Sequence, residues 1–188
     1  MARVFVDTNV LFPFSLMDLM LTLTEDAVHT MVWSDRLLDE WERVIVRERR
    51  RTAPVAARIS AVIREFFADT RVPEEDYKYL IDWMQGPDPD DRHHMAAAVA
   101  GGAETLITWN LADFPASALR PYRLTVTGPD DYLCSLLTQH PAEVMAVLAR
   151  MSARKRRPPM AVPEIVDALD GAGVSVFAAR VRARMALR

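Results

Sequence analysis

The sequence predicts an α/β fold: a three-layer α/β/α domain around a central, mainly parallel sheet, followed by a C-terminal helical extension. Three observations carry the prediction. Short apolar, β-branched runs alternate with amphipathic helical segments up to about residue 140, the pattern of a parallel sheet covered on both faces. Two of those runs end in polar side chains, Asp7-Thr8-Asn9 after the first and Asn110 to Asp113 after the third. Beyond residue 140 the pattern is purely helical. With 51% apolar residues in 188, the chain has material for a sizeable core.

Val4-Phe5-Val6 reads as a buried first strand. Segment 10–30 carries Leu16, Leu19, Met20 and Leu23 at helical spacing, and Met31-Val32-Trp33 is a second strand. Ser34 then caps a helix with Leu37, Leu38, Trp41, Val44 and Ile45 on one face. Segment 54–67 is a further amphipathic helix, and 74–84 a short one. Asp88, Pro89 and Asp91 fit the N-cap, N1 and N3 positions of a helix that stops at Gly101-Gly102. Thr105–Thr108 and Leu124–Val126 are the remaining strands, with a helix over about 129–137. Ala153–Pro159 reads as a linker, and 162–186 as one or two helices. This divides the chain into a domain over 1–138 and a basic helical extension over 139–188.

The net charge of −3 gives no global pull on a polyanion, but its distribution is uneven. Residues 1–141 hold 22 acids against 14 bases, and residues 142–188 hold 4 against 9. Arg150, Arg154, Lys155, Arg156 and Arg157 crowd into eight positions, which suggests a contact with a polyanionic backbone or a solvated, partner-facing helix. The single cysteine, Cys134, excludes an intramolecular disulfide and a Cys-based zinc site, and fits a reducing, cytoplasmic setting. The seven-residue lead-in to Asp7 is too short for a signal peptide, and no run of 18 apolar residues predicts a membrane span.

Open parallel sheets bind ligands beyond the carboxyl ends of their strands. Asp7 stands at one such end and Asn110 and Asp113 just past another. Asp90 and Asp91 open the helix before the third strand, and Glu40 lies on the helix after the second. Carboxylates with an amide suit a hard cation, Mg²⁺ or Mn²⁺, because like charges otherwise repel. Each residue alone also has an ordinary reading: Asp7 and Asn110 as turn residues, Asp90 and Asp91 as helix-start acids, Glu40 as a solvated charge, His94 as a packed or surface histidine.

Four blocks together resemble PIN-domain nucleases over about residues 1–135: Val-Phe-Val-Asp7-Thr8-Asn9-Val-Leu, Ser34-Asp-Arg-Leu-Leu-Asp-Glu40-Trp-Glu-Arg-Val, Pro-Asp90-Asp91-Arg-His-His-Met-Ala-Ala-Ala, and Leu-Ile-Thr-Trp-Asn110-Leu-Ala-Asp113-Phe-Pro. They look most like VapC-type toxins of bacterial toxin–antitoxin pairs, and the helical end is similar to an extension in one subgroup of them. The resemblance implies a metal-dependent endoribonuclease in which Asp7, Glu40, Asp91 and Asp113 form the catalytic, metal-binding set. Asn110 stands where many members have aspartate, so it either binds metal or positions water or substrate. Thr8, Asn9, Asn110, Arg154 and Arg156 are the candidate substrate contacts. The implied partners are RNA, an inhibitory antitoxin and a second copy of the chain, in the cytoplasm and without a membrane.

Other classes fit less well. A haloacid-dehalogenase phosphatase needs a second Asp two residues after the first, where this chain has Asn9. A receiver domain needs a Lys at a later strand end, and neither Lys78 nor Lys155 is so placed. The non-enzymatic alternative is a PIN-like scaffold that binds RNA or a partner without cutting; four retained carboxylates favour the enzyme.

Overall fold

A computed structural model describes residues 1–187. Four short strands, β1 (Arg3–Val6), β2 (Thr30–Val32), β3 (Thr105–Ile107) and β4 (Thr125–Thr127), form one sheet in the order β2-β1-β3-β4. All three pairings are parallel, with Val4 opposite both Met31 and Thr105, and Leu106 opposite Val126. Past their first residues the central strands are buried: Val4, Phe5, Val6, Leu106 and Ile107 are at most 1% exposed. This confirms the parallel-sheet expectation, with strand limits shifted by one residue.

Between the strands lie α1 (Thr8–Leu11) and α2 (Phe14–Glu25), then α3 (Asp35–Arg47), α4 (Ala53–Phe66), α5 (Glu74–Tyr77) and α6 (Arg92–Ala100), then α7 (Ala116–Leu119). The chain steps from β1 to β2 in one direction and from there to β3 and β4 in the other. Right-handed crossovers therefore put α1–α2 on one face and α3–α7 on the opposite face. The reversal falls between β1 and β3, where the outgoing chains diverge and leave a crevice at the carboxyl edge.

Several elements follow from local chemistry. The Ser34 hydroxyl accepts from the Leu37 N–H and caps α3, as its sequence predicts. Gly102, at φ +64°, ends α6 while the Ala103 N–H reaches back to the Ala98 carbonyl, a glycine stop. The single helix expected over 10–30 is instead two: Phe12 is still helical in backbone, and Pro13, which has no N–H to give a helix ladder, turns to extended backbone at ψ 117° before α2 begins. The helix expected from Asp88 begins as a tight turn over Pro89–Asp91 and becomes α-helical only at Arg92. Residues 74–84 divide the same way, α5 being followed by a 3₁₀ stretch over Lys78–Trp83.

The last four helices are α8 (Pro129–Gln139), α9 (Pro141–Arg154), α10 (Val162–Gly171) and α11 (Ser175–Ala186). They extend the α2 face: α9 and α10 pack on α2, and α11 packs on α8. Ser15 donates to the Ala168 carbonyl at 3.1 Å, and the Asp130 carboxylate accepts from the N–H groups of Val176 and Phe177. Val166, Leu169, Val174, Phe177 and Val181 are buried in the same core cluster as the sheet. Among the described residues, no helix is long and apolar enough to cross a membrane.

Candidate active site

The crevice at the carboxyl edge holds a pocket of about 440 Å³ lined by Asp7, Glu40, Asp88, Asp91, Asn110 and Asp113, with Thr8, Asn9, Phe12 and Val44. Asp7 reaches it as the residue that follows β1 and precedes α1. Its N–H bonds the Ile107 carbonyl at 2.9 Å, which continues the β1–β3 ladder by one rung and fixes the backbone. The side chain is 4% exposed. Thr108 Oγ1 donates to Asp7 Oδ2 at 2.7 Å.

Thr108 is the hub of the strand ends, and the sequence reading did not single it out. Fully buried, its hydroxyl also accepts from Asn9 Nδ2 at 3.2 Å and from the Asn110 N–H at 3.0 Å. Asn9 accepts in turn from the Trp109 N–H. Asn9, a candidate substrate contact, thus spends its amide on tying the loop after β3 to α1. Asn110 donates its side-chain amide to the Asp113 carboxylate. The sequence leaves open whether it binds metal or positions water or substrate; in the structure its amide is bonded to Asp113.

Glu40 arrives from α3, which Trp41 fastens to α1 by an Nε1 hydrogen bond to the Leu11 carbonyl at 3.0 Å. Its helix neighbours Asp35, Asp39 and Glu42 turn away to Arg64 of α4. Glu40 instead meets two buried histidines of α6, with Oε2 at 3.0 Å from His94 Nε2 and 3.4 Å from His93 Nε2. Burial pulls Glu40 toward protonation, yet the histidine hydrogen bonds outweigh it and hold the carboxyl below the usual carboxylate range. Burial pushes His93 down to about 4, so at neutral pH it meets Glu40 as an uncharged N–H donor. His94 is packed, as its ordinary reading has it, but between functional groups: its Nδ1 lies 3.9 Å from Asp7 Oδ1, and its ring is edge-on to Phe5.

Asp91 comes from the tight turn before α6. Burial, and then the charges of Asp7, Asp88 and Asp113, push it up to about 6. Burial likewise raises Asp7, against the opposing pull of His94 and Thr108. The pocket therefore carries more negative charge than its own groups neutralise. Asp90 does not line it, whereas Asp88, read from the sequence only as a cap, does so while accepting from the Asp90 N–H at 2.8 Å.

The donor set fits a hard divalent cation. Asp7, Asp91 and Asp113 supply anionic oxygens, and mutual repulsion gives them a use for a cation. The hydroxyl of Thr8, which lines the pocket, is buried without a hydrogen-bond partner. Glu40, His93 and His94 also bring potential ligand atoms within 4.8 Å of one another. There, however, both Nε2 atoms already face one carboxylate oxygen, so the histidines serve as donors that keep Glu40 ionised.

The basic run 150–157 lies elsewhere. Arg150 pairs with Asp26 at 2.7 Å, Lys155 with Asp18 at 2.6 Å, and Arg154 with Glu25. All three acids belong to α2 or its C-cap. The structure thus places Arg154 against α2 and away from the lining of the carboxylate pocket; Arg156 is exposed in the loop after α9, also outside that lining.

Comparison with known proteins agrees with the architecture in two pieces. A family model described as the VapC50 C-terminal domain matches residues 129–183, which run from the start of α8 into α11. The Mycobacterium tuberculosis protein named "Putative ribonuclease VapC50" is 40% identical over 92 residues, which are 49% of this chain and 54% of that protein. The chain therefore spans about half the length of the curated relative it matches. No solved structure matches. The model described as PIN domain matches residues 3–112, which takes in the sheet from β1 to β3 and the carboxylates Asp7, Glu40 and Asp91. That match covers more than half of the residues, and with it the chain belongs to the PIN-domain family.

Proposed function

We propose that the chain is a metal-dependent endoribonuclease and the toxin of a toxin–antitoxin pair. The observation that carries this reading is the convergence of Asp7, Glu40, Asp91 and Asp113 on one pocket at the sheet's carboxyl edge. Mg²⁺ or Mn²⁺ is the proposed ion, with Asp7, Asp91, Asp113 and Glu40 as the residues that would hold it. When bound, such an ion supplies charge neutralisation and a more acidic water for phosphodiester hydrolysis. The chain's own groups prepare the site. Thr108 and the β1–β3 ladder fix Asp7. Asn110 orients Asp113. His93 and His94 keep Glu40 anionic and in place. The relative's name supports RNA as substrate; a cognate antitoxin and a second copy are the proposed partners, and the cytoplasm the proposed setting. We also propose the division near residue 138, with the nuclease site confined to the first part.

The test is cleavage of RNA by the purified chain. Activity should require Mg²⁺ or Mn²⁺, stop in EDTA, and fall at least about a hundredfold in Asp7→Asn, a loss of about 3 kcal/mol of transition-state stabilisation. An Asn variant that cleaves as fast as its parent with the metal present, or undiminished cleavage in EDTA, overturns the proposal.

A further inference from the structure

The carboxylate pocket is the wrong charge to attract a polyanion, and three of the five bases in the run expected to compensate, Arg150, Arg154 and Lys155, are paired with α2 or its C-cap. The counter-charge stands on another part of the molecule. α3 carries Glu40 and Val44 along the pocket wall and ends at Arg47, roughly 10 Å further along its axis. The chain then turns through Arg49, Arg50 and Arg51, all exposed, with Arg49 at φ +56°. Arg50 has its Cζ 5.3 Å over the ring of Phe12, and Arg51 its Cζ 4.1 Å over the ring of Phe14.

Phe12 makes the connection. It lines the carboxylate pocket and also the next groove of about 280 Å³, whose other walls include Arg50, Ser15 and the α10 end at Gly171. Arg50 in turn lines a third concavity with Arg49, Arg51 and Thr52. The three concavities thus adjoin through shared walls, Phe12 between the first two and Arg50 between the last two, a row that leads from Asp7 and Asp91 to three consecutive arginines. None of these three has a carboxylate partner among the described residues, whereas Arg150, Arg154 and Lys155 each have one. An aromatic face under a guanidinium restrains its orientation and leaves charge and N–H donors available to a phosphate.

We propose that Arg49, Arg50 and Arg51 hold the phosphodiester backbone of single-stranded RNA as it runs along Phe12 into the carboxylate pocket. The proposal rests on the ribonuclease reading and names where that substrate lies. It moves the backbone contact from the 150–157 run to the turn after α3. α10 closes the far side of the groove, so the C-terminal extension forms part of the track.

The test measures binding of a labelled single-stranded oligoribonucleotide of mixed sequence to the full chain in EDTA, across a range of salt concentrations. Arg49→Gln/Arg50→Gln/Arg51→Gln should weaken binding at least about tenfold and reduce the slope of log affinity against log salt by about two, the counterion release of three single-strand phosphate contacts. The corresponding triple lysine variant, which keeps charge without the guanidinium, should retain the salt slope. Arg154→Gln/Lys155→Gln/Arg156→Gln should leave the slope as in the parent. Circular dichroism melts show whether each variant is folded. If the 49–51 glutamine variant keeps the parent's affinity and slope while the parent cleaves RNA, the track is wrong and the ribonuclease reading stands. If the parent neither binds nor cleaves RNA, both fall. If the glutamine variant keeps RNA binding but loses a polyglutamate probe that the parent holds, the turn is a protein-docking surface and the proposal is overturned.

Discussion

Between the ends of β1 and β3, three side-chain or backbone groups meet on the Thr108 hydroxyl: the Asp7 carboxylate, the Asn9 amide and the Asn110 N–H. Valine has nearly the same shape but no hydroxyl, so Thr108→Val takes from Asp7 its side-chain donor and leaves two part-buried N–H groups without this acceptor. Such losses cost about 1–3 kcal/mol. The expected outcome is a destabilisation of that size in denaturant melts together with a drop of at least about tenfold in RNA cleavage, and Thr108→Ser should recover most of both. Cleavage by the valine variant at the parent rate would show that the hydroxyl does not orient Asp7. Asp7 and Asp113 were legible in the sequence because a carboxylate at or just past the end of an apolar run is costly unless used. Thr108 was not, since threonine is an ordinary strand former and its role depends on which strand lies beside it. The partnership of Glu40 with His93 and His94 was equally hidden, because it joins residues more than fifty positions apart across two helices.

The turn before α6 does two jobs with neighbouring acids. Asp88 accepts from the Asp90 N–H and starts the turn, while Asp91 lies among the pocket carboxylates. Asp88→Ala should lose about 1 kcal/mol of stability, the size of a lost cap, with cleavage within a few-fold of the parent. Asp91→Ala should do the reverse, keeping its melting temperature while activity collapses. Melts and nuclease assays on the pair decide it, and equal losses in both variants would contradict the division. The capped starts and glycine stop of such elements were readable, because Ser34, Asp88 and Gly102 act through bonds to residues within five positions. The break at Pro13 escaped notice because the apolar spacing of Leu16, Leu19 and Leu23 reads as one helix with what precedes it. Phe12, the last residue of helical backbone before that break, lines the pocket.

For the molecule as a whole, His29 reports how firmly the α2 face and α8 are joined. It is fully buried, donates from Nε2 to the Met20 carbonyl at 3.0 Å and accepts at Nδ1 from the Tyr132 hydroxyl at 2.7 Å. Burial pushes its pKa from the ordinary 6.5 down to about 4. The unfolded chain therefore takes up this proton first as pH falls. The neutral imidazole's contribution is fully present above pH 6.5 and is lost progressively toward pH 4, about 3 kcal/mol in all. Denaturant melts of the parent and of His29→Gln should diverge over that window, with the parent losing more stability; parallel curves would refute it. The global charge split was legible, but its meaning was not. A sequence shows that acids lead and bases follow, while only the fold shows that Asp18, Glu25 and Asp26 stand opposite Lys155, Arg154 and Arg150. Exposed pairs of this kind contribute little stability, about 0–1 kcal/mol each. They do act as a key. Gly173, at φ +100°, brings the α10–α11 turn against the Trp109 ring, beside the loop that carries Asn110 and Asp113. Besides its apolar packing and backbone bonds, the C-terminal part is thus fitted to this particular body by a charged seam and an aromatic seat. A tail that lacked the bases of the seam, or carried a side chain where Gly173 meets Trp109, would lose this fit, so a change on one side of the joint calls for a matching change on the other.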